Sequence, residues 1–229
     1  MDNLLNYPTT TLVNRLLPKK VFYEKLDMGT KMKQHFVDDL AQLTWLYKLA
    51  ATTVNTNKGK TIEEIDIFVA TLKSKDCPDD VFKFIDSSMP RYIVFIQQYE
   101  DAFRLLLNYK DPTGDTVHPF KITKSFHTAW INAPQSLQLP IVGKTLDEVW
   151  EHFAGTISGY NTSTADDTKT IIRLEEQLAA KRKAAEALQK KVRREKQFNK
   201  QLEMNTRARQ MKREIASLEE KIMGLKQKK

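Results

Sequence analysis

The chain has one cysteine, Cys77, and seven glycines among 229 residues. A lone thiol excludes an intramolecular disulfide and a cysteine-rich metal site, and it suits a reducing compartment. The glycines are scattered and no GxxxxGK[ST] run occurs, so the flexible cradle of a phosphate loop is missing. His35, His118, His127 and His152 form no HxxxH or HExxH pair. A zinc site would need partners that sequence proximity does not supply. No apolar run approaches the ~20 residues that span a bilayer. The opening "MDNLLNYPTTTLVNRLLPKK" has no basic stretch followed by an apolar one, so it does not read as a secretory signal. The expectation is a cytoplasmic protein with no membrane association, no cofactor and no metal.

Catalytic groups are scarce too. Metal-dependent nucleases hold Mg²⁺ on an acidic residue and a nearby acidic-x-Lys triplet, since the metal needs carboxylates and the attacking water a base or charge partner. "EEID" (63–66) followed by Lys73 resembles this faintly, but the run contains no such triplet. Glu24 and Lys25 are adjacent, and Glu100 and Asp101 fall on a predicted hairpin tip. Glu63, Glu64 and Asp66 read more simply as the polar start of a strand. Cys77 has no histidine nearby in sequence to make it a thiolate. No catalytic residue is assigned, and the sequence leans against an enzyme.

What is present divides near residue 155. All three tryptophans and all eight prolines precede it, and after Thr170 the only aromatic residue is Phe198. Between lies "GTISGYNTSTADDT", whose small polar residues cannot bury enough surface to fix the backbone. The expected organisation is a globular domain over 1–155, a linker over 156–168 and a helical arm over 169–229.

The globular part reads as α+β with a mostly antiparallel sheet. Met32, Phe36, Leu40 and Leu43 share a helical face within 29–43. Residues 44–50 and 62–73 are rich in β-branched and aromatic side chains, as strands are. Apolarity on both faces of 62–73 predicts a central strand. "PDDVFKFIDSSMP" predicts a short helix capped by Asp79 and barred from continuing by Pro90. Residues 91–110 predict a β-hairpin about "YED", "DPTGD" (111–115) a turn, and "FKITKSFHTAWI" one further strand or two. "TLDEVWEHFAG" opens with a Thr145/Glu148 capping box and is expected to close at Gly155.

The arm carries two apolar stripes at spacings of three and four. Ile171, Leu174, Leu178, Ala185, Leu188 and Val192 fit one register. Met204, Ala208, Met211, Ile215, Leu218, Ile222 and Leu225 fit another, and the two do not join. Either a continuous supercoiled helix changes phase there, or a hairpin turns near Asn199. With no Gly or Pro to mark a break, the sequence favours the continuous form, a rod of roughly 85 Å. The seam needs a partner: a second copy in a homodimer, another protein or its own returning strand of helix.

The charge is local. Residues 181–214 hold 13 Lys/Arg against four Glu, while the whole chain carries a net charge of +8. A patch signals phosphate contact better than diffuse basicity does. The candidate contacts are Lys190, Lys191, Arg193, Arg194, Lys196, Lys200, Arg207, Arg209, Lys212 and Arg213. A single aromatic argues against a platform of bases stacked along one strand, and no Trp/Phe-rich face marks a membrane-surface helix.

"LPKKVFYEKLDMGTKMKQHFVDDLAQLTWLYKLA", "EIDIFVATLK" and "RREKQFNKQLEMN" together resemble a bacterial family known only as domain of unknown function 4391. The likeness runs over nearly the whole chain, and the tail phrase is its most specific element. The resemblance brings no catalytic residues. It implies an accessory, DNA-associated role in restriction-like or phage-defence systems, with a helicase or DNA methyltransferase as partner. The alternatives are a divergent metal-dependent nuclease on the α+β core and a structural dimeriser built on the arm.

Overall fold

The structure is a computed structural model that describes residues 4–25, 28–115, 119–133, 137–160 and 165–226. His118 and residues 161–164 of the predicted linker lie outside the described residues. The chain divides into two compact units, Met1–Gly159 and Tyr160–Lys229.

The first unit is built on one six-stranded sheet: β1 (Leu12–Leu17), β2 (Leu40–Ala50), β3 (Glu64–Leu72), β4 (Tyr92–Tyr99), β5 (Ala102–Pro112) and β6 (Phe120–His127). Their spatial order follows the chain. β3 and β4 pair in parallel, while β1/β2, β2/β3, β4/β5 and β5/β6 pair antiparallel, so the sheet is mixed. A parallel pair needs a crossover, which α3 (Asp79–Ser88) supplies. α1 (Lys19–Lys25) and α2 (Thr30–Asp38) lie between β1 and β2 in the chain.

Both faces of the sheet are covered. Val81, Phe82 and Ile85 of α3 and Phe36 of α2 share a buried cluster with Phe68, Ala70, Ile93 and Phe95 of the sheet. Successive strand residues point to opposite faces. Accordingly Tyr92, next to Ile93, packs instead on Trp150 of α4 (Leu146–Ser158), with ring centroids 4.9 Å apart. The apolarity of β3 on both sides is thus explained by its place between two helical layers.

Three local expectations are corrected. The helix predicted to reach Leu43 ends at Asp38, and Leu40 and Leu43 belong to β2. Lys73 donates to Val37 O at 2.7 Å and Lys19 to Phe36 O at 3.1 Å, satisfying carbonyls that a helix end leaves without partners, and Lys19 also reaches Leu40 O, the first of β2, at 2.7 Å. A register shift between Leu40 and Gln42 inserts an extra residue, so two leucines three apart reach one cluster. Spacing alone therefore mimicked a helical face. Second, Asp79 is the first residue of α3 and its cap position is Pro78; its carboxylate instead accepts from His127 Nε2 at 2.9 Å. Third, α4 runs through Gly155 to Ser158 because Ile157 extends its buried face of Leu146, Val149, Trp150 and Phe153. The left-handed C-cap is Gly159, φ +71°.

Half of the Thr145/Glu148 box forms: Glu148 N–H donates to Thr145 Oγ1 at 3.3 Å, but the Glu148 carboxylate accepts from the N–H of Lys144, one residue before the cap, at 2.8 Å. Next to it, the Asp147 carboxylate accepts from the backbone N–H groups of Lys60 and Ile62 at 2.8 and 2.9 Å. Gly59 is required there, since a Cβ would lie 2.1 Å from Asp147 Oδ1.

The second unit is a helical hairpin of α5 (Ala165–Arg194) and α6 (Phe198–Lys226). The continuous rod is overturned: residues 195–197 leave the helical conformation, and each helix is about 45 Å long at 1.5 Å per residue. The two apolar stripes face each other, Val192 near Gln201 and Ala185 near Ala208, which a straight helix with mismatched registers cannot achieve. Leu202, which continues the first register by count, is 57% exposed. The turn comes before Asn199. Glu195 N–H donates to Lys191 O at 3.0 Å, and Glu195 Oε1 accepts from Gln197 N–H at 2.9 Å, so a glutamate side chain braces the turn and none of residues 195–197 takes the left-handed conformation for which an asparagine would be suited.

Candidate functional site

All ten predicted contact cations are exposed and gather in the half of the hairpin nearest its turn. Lys190, Lys191, Arg193 and Arg194 finish α5, Lys196 sits in the turn, and Lys200 lies in the first turn of α6. Arg207, Arg209, Lys212 and Arg213 follow along α6. Cations at the C-terminal end of α5 also complement its dipole. Between residues 190 and 213 the ten Lys/Arg meet only Glu195 and Glu203, a surplus equal to the net charge of the whole chain.

The helix-to-helix ion pairs lie in the other half. Lys181 pairs with Glu214 at 2.5 Å, Arg182 with Glu219 at 2.6 Å and Lys226 with Glu175 at 2.7 Å. Among the described residues none of the ten turn-end cations is in an ion pair. The hairpin therefore separates its charge: acid neutralises base toward the open end, and the turn end is left cationic. Folding the arm back on itself brings two cationic segments side by side, which raises the local potential over that of a rod.

The predicted seam residues Ile171, Leu174, Leu178, Leu188 and Val192 lie along α5, and Met204, Met211, Ile215, Leu218 and Ile222 along α6. Ile171 and Ile222 are buried and the others half-buried. The small facing residues Ala185 and Ala208 leave a groove between the helices there.

The sheet unit holds a second cluster of charge that sequence reading missed. Glu64 and Asp66 stand on one face of β3. Arg91, just before β4, donates to both carboxylates, reaching Asp66 Oδ2 at 2.9 Å, and Lys48 of β2 pairs with Glu64. Asp66 is fully buried, and burial pushes its carboxyl up to about 6 against the opposing Arg91 hydrogen bond. Deeper still, Lys110 and Asp86 form a wholly buried ion pair. Lys110 also donates to Arg91 O at 2.5 Å and lies 4.2 Å from the Phe120 ring centroid. Burial raises the Asp86 carboxyl and lowers the Lys110 ammonium, each opposed by the other's charge. The one legible signal was position: Asp86 continues the apolar face of α3, and Lys110 ends the run "LLLNYK".

Asp66 makes a pH prediction. Its folded-state pKa lies above the ordinary carboxylate value of 3.8, so the native state holds the proton more tightly than the unfolded chain. Stability therefore falls as pH rises from about 4 to about 6, by up to about 3 kcal/mol for two pKa units. Urea unfolding across that range should show the decline, and Asp66→Asn should flatten it.

The nuclease candidates do not converge. Glu63 pairs with Lys58 at 3.2 Å, and Lys73 caps α2. Lys73 follows Asp66 by seven residue steps along and just past β3, about 23 Å. The Asp66 carboxylate shares its site with Glu64 and two cations. Among the described residues no group of three or more His, Cys, Asp or Glu is placed to hold a metal ion. Cys77 is buried, which pushes its thiol up to about 12, away from a nucleophile. His127 is half-buried and held by Asp79, and His35 contacts Asp39 at 2.7 Å.

The family described as Domain of unknown function (DUF4391) matches residues 5–215. The chain belongs to that family. Neither a curated protein nor a solved structure matches it. The DUF4391 match takes in the sheet unit and, in the hairpin, passes the last of the ten turn-end cations. No described helix of this DUF4391 protein is long and apolar enough to cross a membrane.

Proposed function

We propose that this DUF4391 protein is a non-enzymatic, DNA-associated accessory protein whose hairpin grips the phosphate backbone with its turn end. The separation of charge within the hairpin carries this reading. Solvated helix faces are commonly rich in both signs, but here the acids sit with the cations of one half and leave the other half uncompensated. Exposed Lys and Arg of one sign displace the counterions condensed on DNA, and that release drives binding without regard to sequence. Helical side chains of this kind fix position on phosphates; base edges would be needed for specificity.

The hairpin supplies its own seam partner, so the reading requires no second copy of the chain. In keeping with the family resemblance, the system served is a bacterial DNA-modification or phage-defence system in the cytoplasm. The sheet unit there docks a helicase or DNA methyltransferase, which co-purification from the native host would identify.

A gel shift of the full chain on a duplex of arbitrary sequence at low salt tests the DNA reading. Retarded complexes with little dependence on sequence are expected. No retardation at protein concentrations of about 10⁻⁴ M, the weak limit of ordinary non-specific binding, sinks it.

A further inference from the structure

Phe198 is the most exposed large apolar side chain among the described residues, at 74%, and it opens α6 directly after the turn. Leu202 follows one helical turn later and is 57% exposed. Four residues apart, the two side chains lie on one helix face. That face is not the seam, whose nearest members are Gln201 and Met204. Arg194, Lys196 and Lys200 flank the pair, with Glu195 the only acid in the turn.

The turn that presents Phe198 is braced. Glu195 Oε1 accepts from Gln197 N–H at 2.9 Å, Gln197 O accepts from Gln201 N–H at 2.9 Å, and Gln201 Nε2 donates to Val192 O at 3.4 Å. An aromatic ring is thus held at the apex of the most cationic part of the protein. Burial in the hairpin cannot explain it, and solubility would favour a polar residue there.

We infer that Phe198, backed by Leu202, is a wedge that contacts unstacked bases, so that the hairpin prefers DNA carrying a bulge or an unpaired stretch over fully paired duplex. This rests on the proposed phosphate grip. The surrounding cations identify the occupant as a polyanion, and an aromatic ring finds its apolar counterpart in a base. Proteins that bend or open DNA insert Phe or Leu between base steps in this way, at sites where unstacking costs least. A single apical ring serves one stack; it is not a platform for successive bases, which the arm's lack of other aromatics already argued against.

The test measures fluorescence anisotropy of the full chain on a bulged duplex and on a fully paired duplex of equal length. The wild type should bind the bulged duplex about tenfold more tightly, the range of one base–aromatic stack. Phe198→Ala should lose that preference while keeping its affinity for paired duplex and its salt dependence, and Phe198→Trp should restore it. Circular dichroism checks that the helices persist. Equal wild-type affinity for both duplexes, or a preference untouched by Phe198→Ala, overturns the wedge alone. Failure to bind either duplex overturns the phosphate grip and the wedge together. Phe198-dependent binding to phosphatidylserine vesicles without a preference for bulged DNA would assign the ring to a membrane surface instead and overturn the wedge.

Discussion

Replacing Arg193, Arg194, Lys196 and Lys200 together with Gln should weaken duplex binding by about a hundredfold or more at low salt. Each Lys or Arg that neutralises a phosphate contributes roughly 0.9 to the slope of log affinity against log salt. At roughly 50 mM salt each such contact is worth up to about tenfold. The four residues surround the turn between Arg194 and Phe198, where both helices contribute charge. All four are exposed and lie outside the seam, so the hairpin should stay folded. A control on the open half of the hairpin, Lys221→Gln, should change affinity little, because Glu219 and Glu220 already surround that position. Anisotropy titrations of the two variants against one labelled duplex separate these outcomes. Equal losses per charge removed in the two variants would mean that net charge matters and its placement does not.

The second large effect lies in the sheet unit. Lys110→Met should destabilise that unit by about 3–5 kcal/mol, because it leaves the fully buried Asp86 carboxylate without its counter-charge. Asp86→Asn should destabilise as well, since it leaves the buried Lys110 ammonium without its counter-charge and with the Arg91 carbonyl as a neutral acceptor. The double replacement Asp86→Leu with Lys110→Met should recover most of the loss, as apolar pairs of similar volume generally do at buried ion-pair sites. The pH dependence gives a second readout. In Lys110→Met the Asp86 carboxyl is raised further, so the defect should shrink as pH falls and the carboxyl protonates. Urea unfolding of the four proteins at pH 5 and pH 7 measures both. A Lys110→Met protein as stable as wild type would show that the pair carries no structural weight.

The sequence disclosed some elements more readily than others, for physical reasons. β3 was legible as central because Ile65, Ile67 and Val69 alternate with Phe68, Ala70 and Leu72, and only a strand between two layers buries both sets. The start of α4 was legible because Thr145 and Glu148 are the residue types of a capping box at its spacing, and Thr145 does cap the helix. The end of α2 was not, since Leu40 and Leu43 keep helical spacing by way of a strand irregularity that leaves no compositional trace. The reversal at 195–197 was hidden for a related reason. It uses Glu195 and Gln197, good helix formers, in place of Gly or Asn, and only the mismatch between two stripes announced it.

For the candidate site, composition located the cations and folding concentrated them. The arm's ten cations could be named from the sequence as candidates, but their segregation from the ion-paired half needs α5 and α6 to run antiparallel. The Asp86–Lys110 pair joins residues 24 positions apart and needs α3 to pack on the sheet, which no local pattern dictates. Phe198 falls in neither apolar register, and it is the turn that sets it between the two cationic segments.

The most direct measurement of the account is a salt titration of the full chain on a fully paired duplex, from low to physiological ionic strength. The phosphate grip predicts a straight line of log affinity against log salt with a slope of about −4 or steeper, corresponding to five or so phosphates. The variant lacking Arg193, Arg194, Lys196 and Lys200 should flatten that slope by about 3–4. A wild-type slope near zero, or the same slope in the variant, would contradict it.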